Sequence, residues 1–401
     1  MTHDLIVVGG GPAGSTCARR AAQLDLDVLL VEKAHHPRRK ACGGGLTARV
    51  KDSLDFDITS AIEQVQCGLR LVSPSGLIVE EVRTEPTGYT VRREDFDHLL
   101  LKKAEEAGAQ VIQGTEVIDL SEDSSGVDVF TSEGTFRGSL LVGADGVNSV
   151  VARKSGLHPR WMDNEVGLCI EASVPMDPSE ISRLSGNPEW GDRITIEIQL
   201  GAVIHGYAWA FPKKNEYSLG IGVILEHLTD LKGAWKQFTD SFSKRCDTKL
   251  DLSNTTAMRI PLGGMIENLN TKRTMLIGDA GGFVCPSTGE GIYYAIETGR
   301  AAAEVAQKVV SGSSNVSTLT YFTQMRDSIG ADLKVAKFME KIMFKSNANM
   351  EAVCKMGKKD PVMRGHILDF IMGMNSYKQT RTKMIKRMMT KHPLTAMKML
   401  V

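Results

Sequence analysis

No stretch of about 18 consecutive apolar residues occurs in the sequence, so it offers no candidate for a membrane-crossing helix. The N-terminus runs straight into a strand pattern without a basic segment and an apolar one before it, and no secretion signal is expected. Cysteine is sparse: seven residues, at positions 17, 42, 67, 169, 246, 285 and 354, an odd number with no Cys-x-x-Cys pair. That spacing argues against a disulfide framework and a structural zinc site, and it fits a reduced cytoplasmic compartment. The nine histidines show no metal-ligand spacing, and no metal is expected; His35 and His36 fall in a basic loop and read as solvated. Lys+Arg and Asp+Glu both total 48, so no overall charge draws the chain to nucleic acid.

What is present is ordinary globular material, 42% hydrophobic and 24% charged over 401 residues, enough for more than one structural unit. The charge balance hides an asymmetry. Residues 331–401 carry 15 Lys/Arg against 5 Asp/Glu and hold 12 of the 19 methionines, so this region is basic and apolar while the rest is acidic.

Near the N-terminus, residues 4–8 (Asp-Leu-Ile-Val-Val) read as a buried parallel strand, 15–24 as a helix and 27–32 as the next strand. Between the first strand and the helix lies Gly9-Gly10-Gly11-Pro12-Ala13-Gly14, and Glu32 ends the second strand. In this setting Gly9 permits the tight turn, Gly11 lets the backbone approach a pyrophosphate, and Gly14 lets helix and strand pack closely. The helix N-terminus offers unpaired N–H groups to phosphates. Glu32 suits ribose hydroxyls and would repel a 2′-phosphate.

This motif alone does not separate NAD from FAD. Far along the chain, Thr274-Met275-Leu276-Ile277-Gly278-Asp279-Ala280-Gly281 is a strand running into Gly-Asp, followed by Pro286-Ser287-Thr288-Gly289-Glu290-Gly291-Ile292 and a long helix. An acid at a strand end can bind ribityl hydroxyls, and a glycine-rich helix start can face the negative side of a reduced flavin ring. Between the two motifs, Leu140-Leu141-Val142-Gly143-Ala144-Asp145-Gly146 is another strand meeting Asp-Gly, followed by Ser149 and Arg153. Three such sites in this order point to FAD.

At these residues the chain resembles the FAD oxidoreductases that include p-hydroxybenzoate hydroxylase. Ala41-Cys42-Gly43-Gly44-Gly45-Leu46 and Tyr207-Ala208-Trp209-Ala210-Phe211-Pro212 further resemble signature segments of the geranylgeranyl reductase family. The likeness covers residues 1–315. It implies an α/β fold: a Rossmann-like FAD-binding domain of the p-hydroxybenzoate hydroxylase type, an antiparallel-sheet substrate domain and a helical C-terminal region. The expected division is 1–150 (with 60–92 lent to the substrate domain), 151–265 for substrate, 266–320 for the second part of the FAD domain, and 321–401 helical. Family members reduce isolated double bonds of polyisoprenoid chains in archaeal lipids, chlorophyll precursors or quinones.

Carried over by residue, the resemblance puts Ala13 and Glu32 on the adenosine diphosphate, and Cys42, Gly43 and Gly45 near the flavin. Arg93, in Arg93-Glu94-Asp95-Phe96-Asp97, becomes a cofactor contact. Val117 joins at a strand edge, and Asp279, Gly291 and Ile292 form the second flavin segment. From the residues alone, a two-residue period from 205 to 211 puts His205, Tyr207, Trp209 and Phe211 on one bulky face and Gly206, Ala208 and Ala210 on the other. The bulky face reads as the wall of an apolar cavity over the flavin.

An isolated alkene has no carbonyl to take up electrons, so hydride delivery from flavin N5 must be coupled to protonation of the other carbon. The developing positive charge suits aromatic faces, worth about 0.5–2 kcal/mol each, and Cys42 is the candidate proton donor. In the basic tail, Met339, Met343 and Phe344 beside Lys337, Lys341 and Lys345, and Met384, Met388 and Met389 beside Lys383, Lys386 and Arg387, suggest a peripheral contact with the inner face of a membrane; the alternative is a helical cap over the substrate domain. Rival readings are a monooxygenase of the same fold and a non-catalytic prenyl-binding protein. No second Gly-x-Gly-x-x-Gly marks the reductant, which is left as NADPH, ferredoxin or another carrier.

Overall fold

The structure, a computed structural model, describes residues 2–400, the side chain of Leu400 excepted. Runs such as Leu5-Ile6-Val7-Val8, Leu29-Leu30-Val31 and Leu140-Leu141-Val142 have no polar face. They suit strands covered on both sides, which is where parallel sheets place them. Thr2–Val8 pairs in parallel with Val28–Glu32 and with Gly134–Gly143, Leu5 lying opposite Val28 and Leu140. The seven-stranded sheet runs Gln110–Gln113, Val28–Glu32, Thr2–Val8, Gly134–Gly143, Val127–Thr131, Val117–Glu122; Thr274–Leu276 pairs in parallel with the C-terminal end of Gly134–Gly143.

The first helix spans Pro12–Gln23 and so starts three residues before the expected position, because proline at a first helical position gives up no hydrogen bond. It lies against the long helix Ile292–Val310. A Cβ on Gly299 would sit 2.5 Å from the Ala13 carbonyl oxygen, so the two backbones meet where no side chain fits.

The second sheet has nine strands. Its order is Thr256–Pro261, Val166–Pro175, Glu216–Ile224, Gly206–Pro212, Ile194–Leu200, Ile62–Val72, Gly88–Val91, Gly45–Thr47, with Ile78–Val82 also on Ile62–Val72. The expected all-antiparallel pattern is interrupted at one place: Ile194–Leu200 and Ile62–Val72 run parallel, where two separate excursions of the chain from the first sheet meet edge to edge. One face of this sheet packs on helices Pro178–Ser185 and Leu231–Cys246 through Ala208, Ala210, Tyr217, Leu219 and Phe242. The opposite face carries Tyr207, Trp209 and Phe211, the alternation that a period of two requires.

Helices Ala331–Met343, Asn347–Lys359, Pro361–Ile371, Tyr377–Lys391 and Pro393–Leu400 close the molecule over that second face, while Thr318–Met325 packs on Ile292–Val310 and the first sheet, its Tyr321 hydroxyl donating to the Leu276 carbonyl at 3.0 Å. Here the reading of the tail is corrected. Met339, Met343, Phe344 and Met384 are buried, not surface groups, and they join the main core with Met350, Met363 and Phe370. Flexible methionine side chains fill the irregular space between helices and sheet. Met389 stays exposed.

Asp360 ties this helical region together. Its carboxylate accepts from the N–H groups of Val362 and Met363 (3.1 and 3.3 Å), pairs with both ends of the Arg387 guanidinium fork (2.7 and 2.8 Å) and meets His392 at 3.1 Å. The Arg387 hydrogen bonds hold its carboxyl well below the usual carboxylate range. A depressed folded-state pKa stabilises above the unfolded value of about 3.9 and loses that contribution as pH falls. Asp360→Ala is expected to cost about 1–2 kcal/mol in urea denaturation at neutral pH, the size of a lost helix cap. The gap from the unaltered protein should begin to narrow once the pH falls below about 3.9 and keep narrowing as the pH drops further; a gap as wide at about pH 2 as at neutral pH would reject this assignment.

Candidate functional site

Because Thr2–Val8, Gly134–Gly143 and Thr274–Leu276 run parallel in one sheet, the segments that follow them all emerge at the same edge. Gly9 turns there at φ +106°, and a Cβ on it would lie 2.4 Å from the Ala144 carbonyl oxygen. A Cβ on Gly14 would lie 1.8 Å from the Gly9 carbonyl oxygen, so that close approach needs glycine. Gly11, at the helix N-cap with no side-chain cap, is different: only the Arg38 guanidinium comes near its missing Cβ, at 3.7 Å. The helix therefore ends on free N–H groups with open space and one cation in front of them, which suits phosphate oxygens. Ala13 is buried against Gly278, where a Cβ would meet the Ala13 methyl at 2.9 Å.

Glu32 is buried and held rigidly. One carboxylate oxygen accepts the Gly10 N–H at 2.6 Å, the other the Ala34 N–H at 2.9 Å, and Arg38 lies 3.9 Å away. The Thr115 N–H donates to the Glu32 carbonyl at 3.0 Å, bringing the edge strand that begins with Val117 beside it. The Val117 side chain is part of the core, so what it offers a ligand is main chain. The reading of His36 as solvated is corrected: both its ring nitrogens are sealed from solvent without a partner, and burial lowers its pKa.

Arg93, its side chain 10% exposed, is forked onto Asp97 through two bonds of 2.8 Å, and it also reaches the Cys42 side chain. Asp97 is fully buried and meets Arg38 as well, at 3.3 Å. Asp279 stands apart. Among the described residues its carboxylate takes no hydrogen bond and no ion pair. Burial pushes its carboxyl up, with Lys40 and Arg93 pulling the other way. A Cβ on Gly291 would sit 3.4 Å from that carboxylate, and the buried Ile292 opens the helix beyond. Asp145, by contrast, is structural: it accepts from Ser149 at 2.5 Å and from the N–H groups of Val150 and Val151, and so caps the short helix Val150–Lys154.

Next to these groups lies a cavity of about 200 Å³ whose wall is mainly apolar. Tyr207, Trp209 and Phe211 line it from the sheet, Met343 and Phe344 from the C-terminal helices, and the 42–47 and 286–290 segments from the cofactor side. Gly43 and Gly45 lie against Phe211, where added Cβ atoms would come within 2.8 and 2.9 Å of its ring. The Tyr207 hydroxyl donates to the Thr288 carbonyl, and burial pushes the phenol up, so it stays protonated at neutral pH. Cys42 is partly exposed at the cavity edge, its sulfur 3.4 Å from the Gly44 N–H.

His205 also reaches the cavity, but not as a strand residue. It has left-handed backbone geometry (φ 53°) just before Gly206–Pro212, bonds Glu340 at 2.6 Å and stacks on His227 at 3.9 Å. Missed altogether was the partly buried network in which Arg49 pairs with Glu290, Thr47 donates to Glu290 at 2.6 Å, and Tyr293 lies 3.8 Å under the Arg49 guanidinium. Its partners are over 240 positions apart, and no local pattern marks them. The uncapped helix N-terminus, the clamped Glu32 and the unpaired Asp279 carboxylate together suit FAD.

If Asp279 is unpaired until a cofactor arrives, Asp279→Asn should leave the apoprotein as stable or more so, because a desolvated charge is removed. FAD affinity should fall about tenfold or more, the worth of a charge-assisted hydrogen bond. Apoprotein melting and fluorescence titration with FAD check both; a destabilised apoprotein with unchanged affinity would contradict it.

The FAD binding domain family model matches residues 2–190. A menaquinone reductase from Mycolicibacterium smegmatis is 33% identical over 75% of this chain and 76% of its own. A digeranylgeranylglycerophospholipid reductase from Methanocella arvoryzae is 29% identical over 98% of this chain and 96% of its own. Among solved structures, a geranylgeranyl bacteriochlorophyll reductase-like protein from Thermoplasma acidophilum superposes with a TM-score of 0.83 at 21% identity, covering 99% of this chain and 98% of that one. A flavin-dependent brominase superposes at 0.75 and 22% identity over 98% of this chain and all of the other, so the architecture also serves other chemistry. A digeranylgeranylglycerophospholipid reductase from Methanocaldococcus jannaschii is 30% identical over 77% of this chain and 78% of its own, and this likeness, with the Cys-Gly and Tyr-x-Trp-x-Phe-Pro segments meeting at one cavity, makes the chain a member of the geranylgeranyl reductase family, an FAD-dependent oxidoreductase.

Proposed function

We propose that this protein saturates isolated C=C bonds of a polyprenyl chain carried by a lipid or quinone. The observation that carries this reading is the contact between an apolar, aromatic-walled cavity and the 42–47 and 286–290 segments. Burial of a prenyl chain contributes about 0.8 kcal/mol per CH₂ group and asks for few polar contacts.

In this reading Gly11 and the helix N-terminus hold the pyrophosphate, Glu32 the adenosine ribose, and Asp279 and the start of Ile292–Val310 the flavin end, with Ala13, Arg93 and Val117 shaping the site around them. Bound FAD, once reduced, supplies hydride. The chain's own residues do the rest. Tyr207 and Trp209 turn aromatic surface toward the alkene as positive charge develops on it. The apolar wall excludes water. Cys42 Sγ–H gives the proton to the second alkene carbon, from a position at the cavity edge fixed by Arg93 and Gly44.

Under anaerobic conditions the reduced holoprotein with a geranylgeranyl substrate should yield a product heavier by two hydrogens. Cys42→Ala should slow cofactor reoxidation by about 10²–10⁴-fold, the usual worth of a general acid, and Cys42→Ser should retain more of the rate. An unreduced substrate, or an oxygenated product formed only in air, would reject the reductase reading; equal rates in all three proteins would remove Cys42 alone.

No helix among the described residues is long and apolar enough to cross a membrane. Ile385, Met389, Leu394 and Met397 are nonetheless exposed on the last two helices, beside Lys386, Lys391 and Lys398. This surface replaces the buried methionines as our proposed contact with anionic lipid. A Leu394→Glu/Met397→Glu double variant should lose flotation with anionic liposomes at low salt, since each change removes apolar burial and adds repulsion; flotation equal to that of the unaltered chain would exclude this surface.

A further inference from the structure

Gln66 is out of character with its surroundings. It lines the apolar cavity from the strand Ile62–Val72 and is only 1% exposed. Its side-chain amide makes no hydrogen bond with any described residue, and its Nε2 is sealed from solvent without a partner. Buried amides are almost always paired, because an unmet hydrogen bond costs free energy that leucine in the same place would not. An amide kept in an apolar wall therefore asks for a partner that the protein does not provide.

The register shows what shares its space. Gln66 lies opposite Gly88, and Gly88 lies opposite Thr47 on the next strand. Directly opposed residues share a face of a sheet, so Gln66 and Thr47 project from one side, and the glycine between them puts no side chain there. With strands about 4.8 Å apart, the two are roughly 10 Å from each other. Thr47 is bonded to Glu290 in the cofactor-side segment, so Gln66 stands one short step along the wall from the reacting end. A Cβ on Gly88 would collide with the Leu46 carbonyl oxygen at 2.5 Å and come within 3.0 Å of the Met372 methyl, so the C-terminal helices lie close over this spot. The cavity residue that reaches this spot from the C-terminal helices, Met372, is apolar, and Arg49 is already committed to Glu290.

We infer that Gln66 anchors the substrate by hydrogen-bonding an uncharged oxygen that the prenyl-bearing molecule carries into the cavity. Rotation of the amide lets it present N–H to a carbonyl or ether oxygen, or its own oxygen to a hydroxyl. A charged head group is excluded, because nothing at this wall would neutralise it. The shared chemistry admits two sources, the carbonyl of a prenylated quinone and the ether oxygen of a prenylated glycerol. The inference rests on the prenyl-reductase reading and narrows it to oxygen-bearing substrates gripped near the oxygen.

Binding to the oxidised holoprotein tests it, read from Trp fluorescence with three probes of matched chain length: a prenylated quinone, a geranylgeranyl glycerol ether and a geranylgeranyl hydrocarbon without oxygen. The unaltered protein should bind at least one oxygenated probe about tenfold to a hundredfold more tightly than the hydrocarbon. Gln66→Leu and Gln66→Met should abolish that preference while leaving hydrocarbon binding and FAD content in place, and the probe whose advantage disappears identifies the source. A preference that survives both substitutions, or one absent from the unaltered protein, overturns the inference and leaves the prenyl reading standing. Failure of all three probes to bind the unaltered protein overturns both.

Discussion

The site depends on main-chain pairing along one strand, Gly134–Gly143. Its first half pairs antiparallel with Val127–Thr131, its C-terminal end pairs in parallel with Thr274–Leu276, and its other edge pairs in parallel with Thr2–Val8. Those hydrogen bonds bring the Gly9 turn, Asp145 and the Asp279 segment to one sheet edge from positions far apart in the chain. Asp145 keeps the helix start beyond it in place, while Asp279 is left unpaired. Two carboxylates in similar sequence settings thus have different tasks, and the difference is one of available N–H partners.

A second constraint is the absence of side chains where the two sheets' products meet. Gly43 and Gly45 allow the 42–47 segment to lie on Phe211, and the Tyr207 hydroxyl reaches across to Thr288. The cofactor-side segments and the substrate sheet therefore meet in one continuous wall. The C-terminal helices complete that wall with Met343 and Phe344. A volume with a mainly apolar wall follows from packing alone. Gln66, Thr47, Ser287, Thr288, Glu290 and the His205–Glu340 pair are among its polar members.

Much of this was legible in residue order. Unbroken apolar runs specify buried parallel strands, glycines at fixed steps specify a turn with no room for Cβ atoms, and a two-residue period correctly separated Tyr207, Trp209 and Phe211 from Ala208 and Ala210. Each of these is a local property, set within about ten residues by backbone geometry. His205 marks the limit: the period was extended one residue too far, past the point where the chain leaves the strand with a left-handed turn.

Tertiary structure alone decided the rest. Whether a methionine-rich basic helix faces lipid or a core depends on what packs over it, and the same amphipathic pattern serves either; here the helices fold back, and most of the methionines are spent inside. The pairing of Arg49 with Glu290 and the isolation of Gln66 arise from chain segments that are unrelated in sequence and meet only in space. Local sequence determined the strands, the turns and the cofactor class, because these answer to short-range geometry. Which polar groups find partners, and which are left for a ligand, is a long-range question that only the folded chain answers.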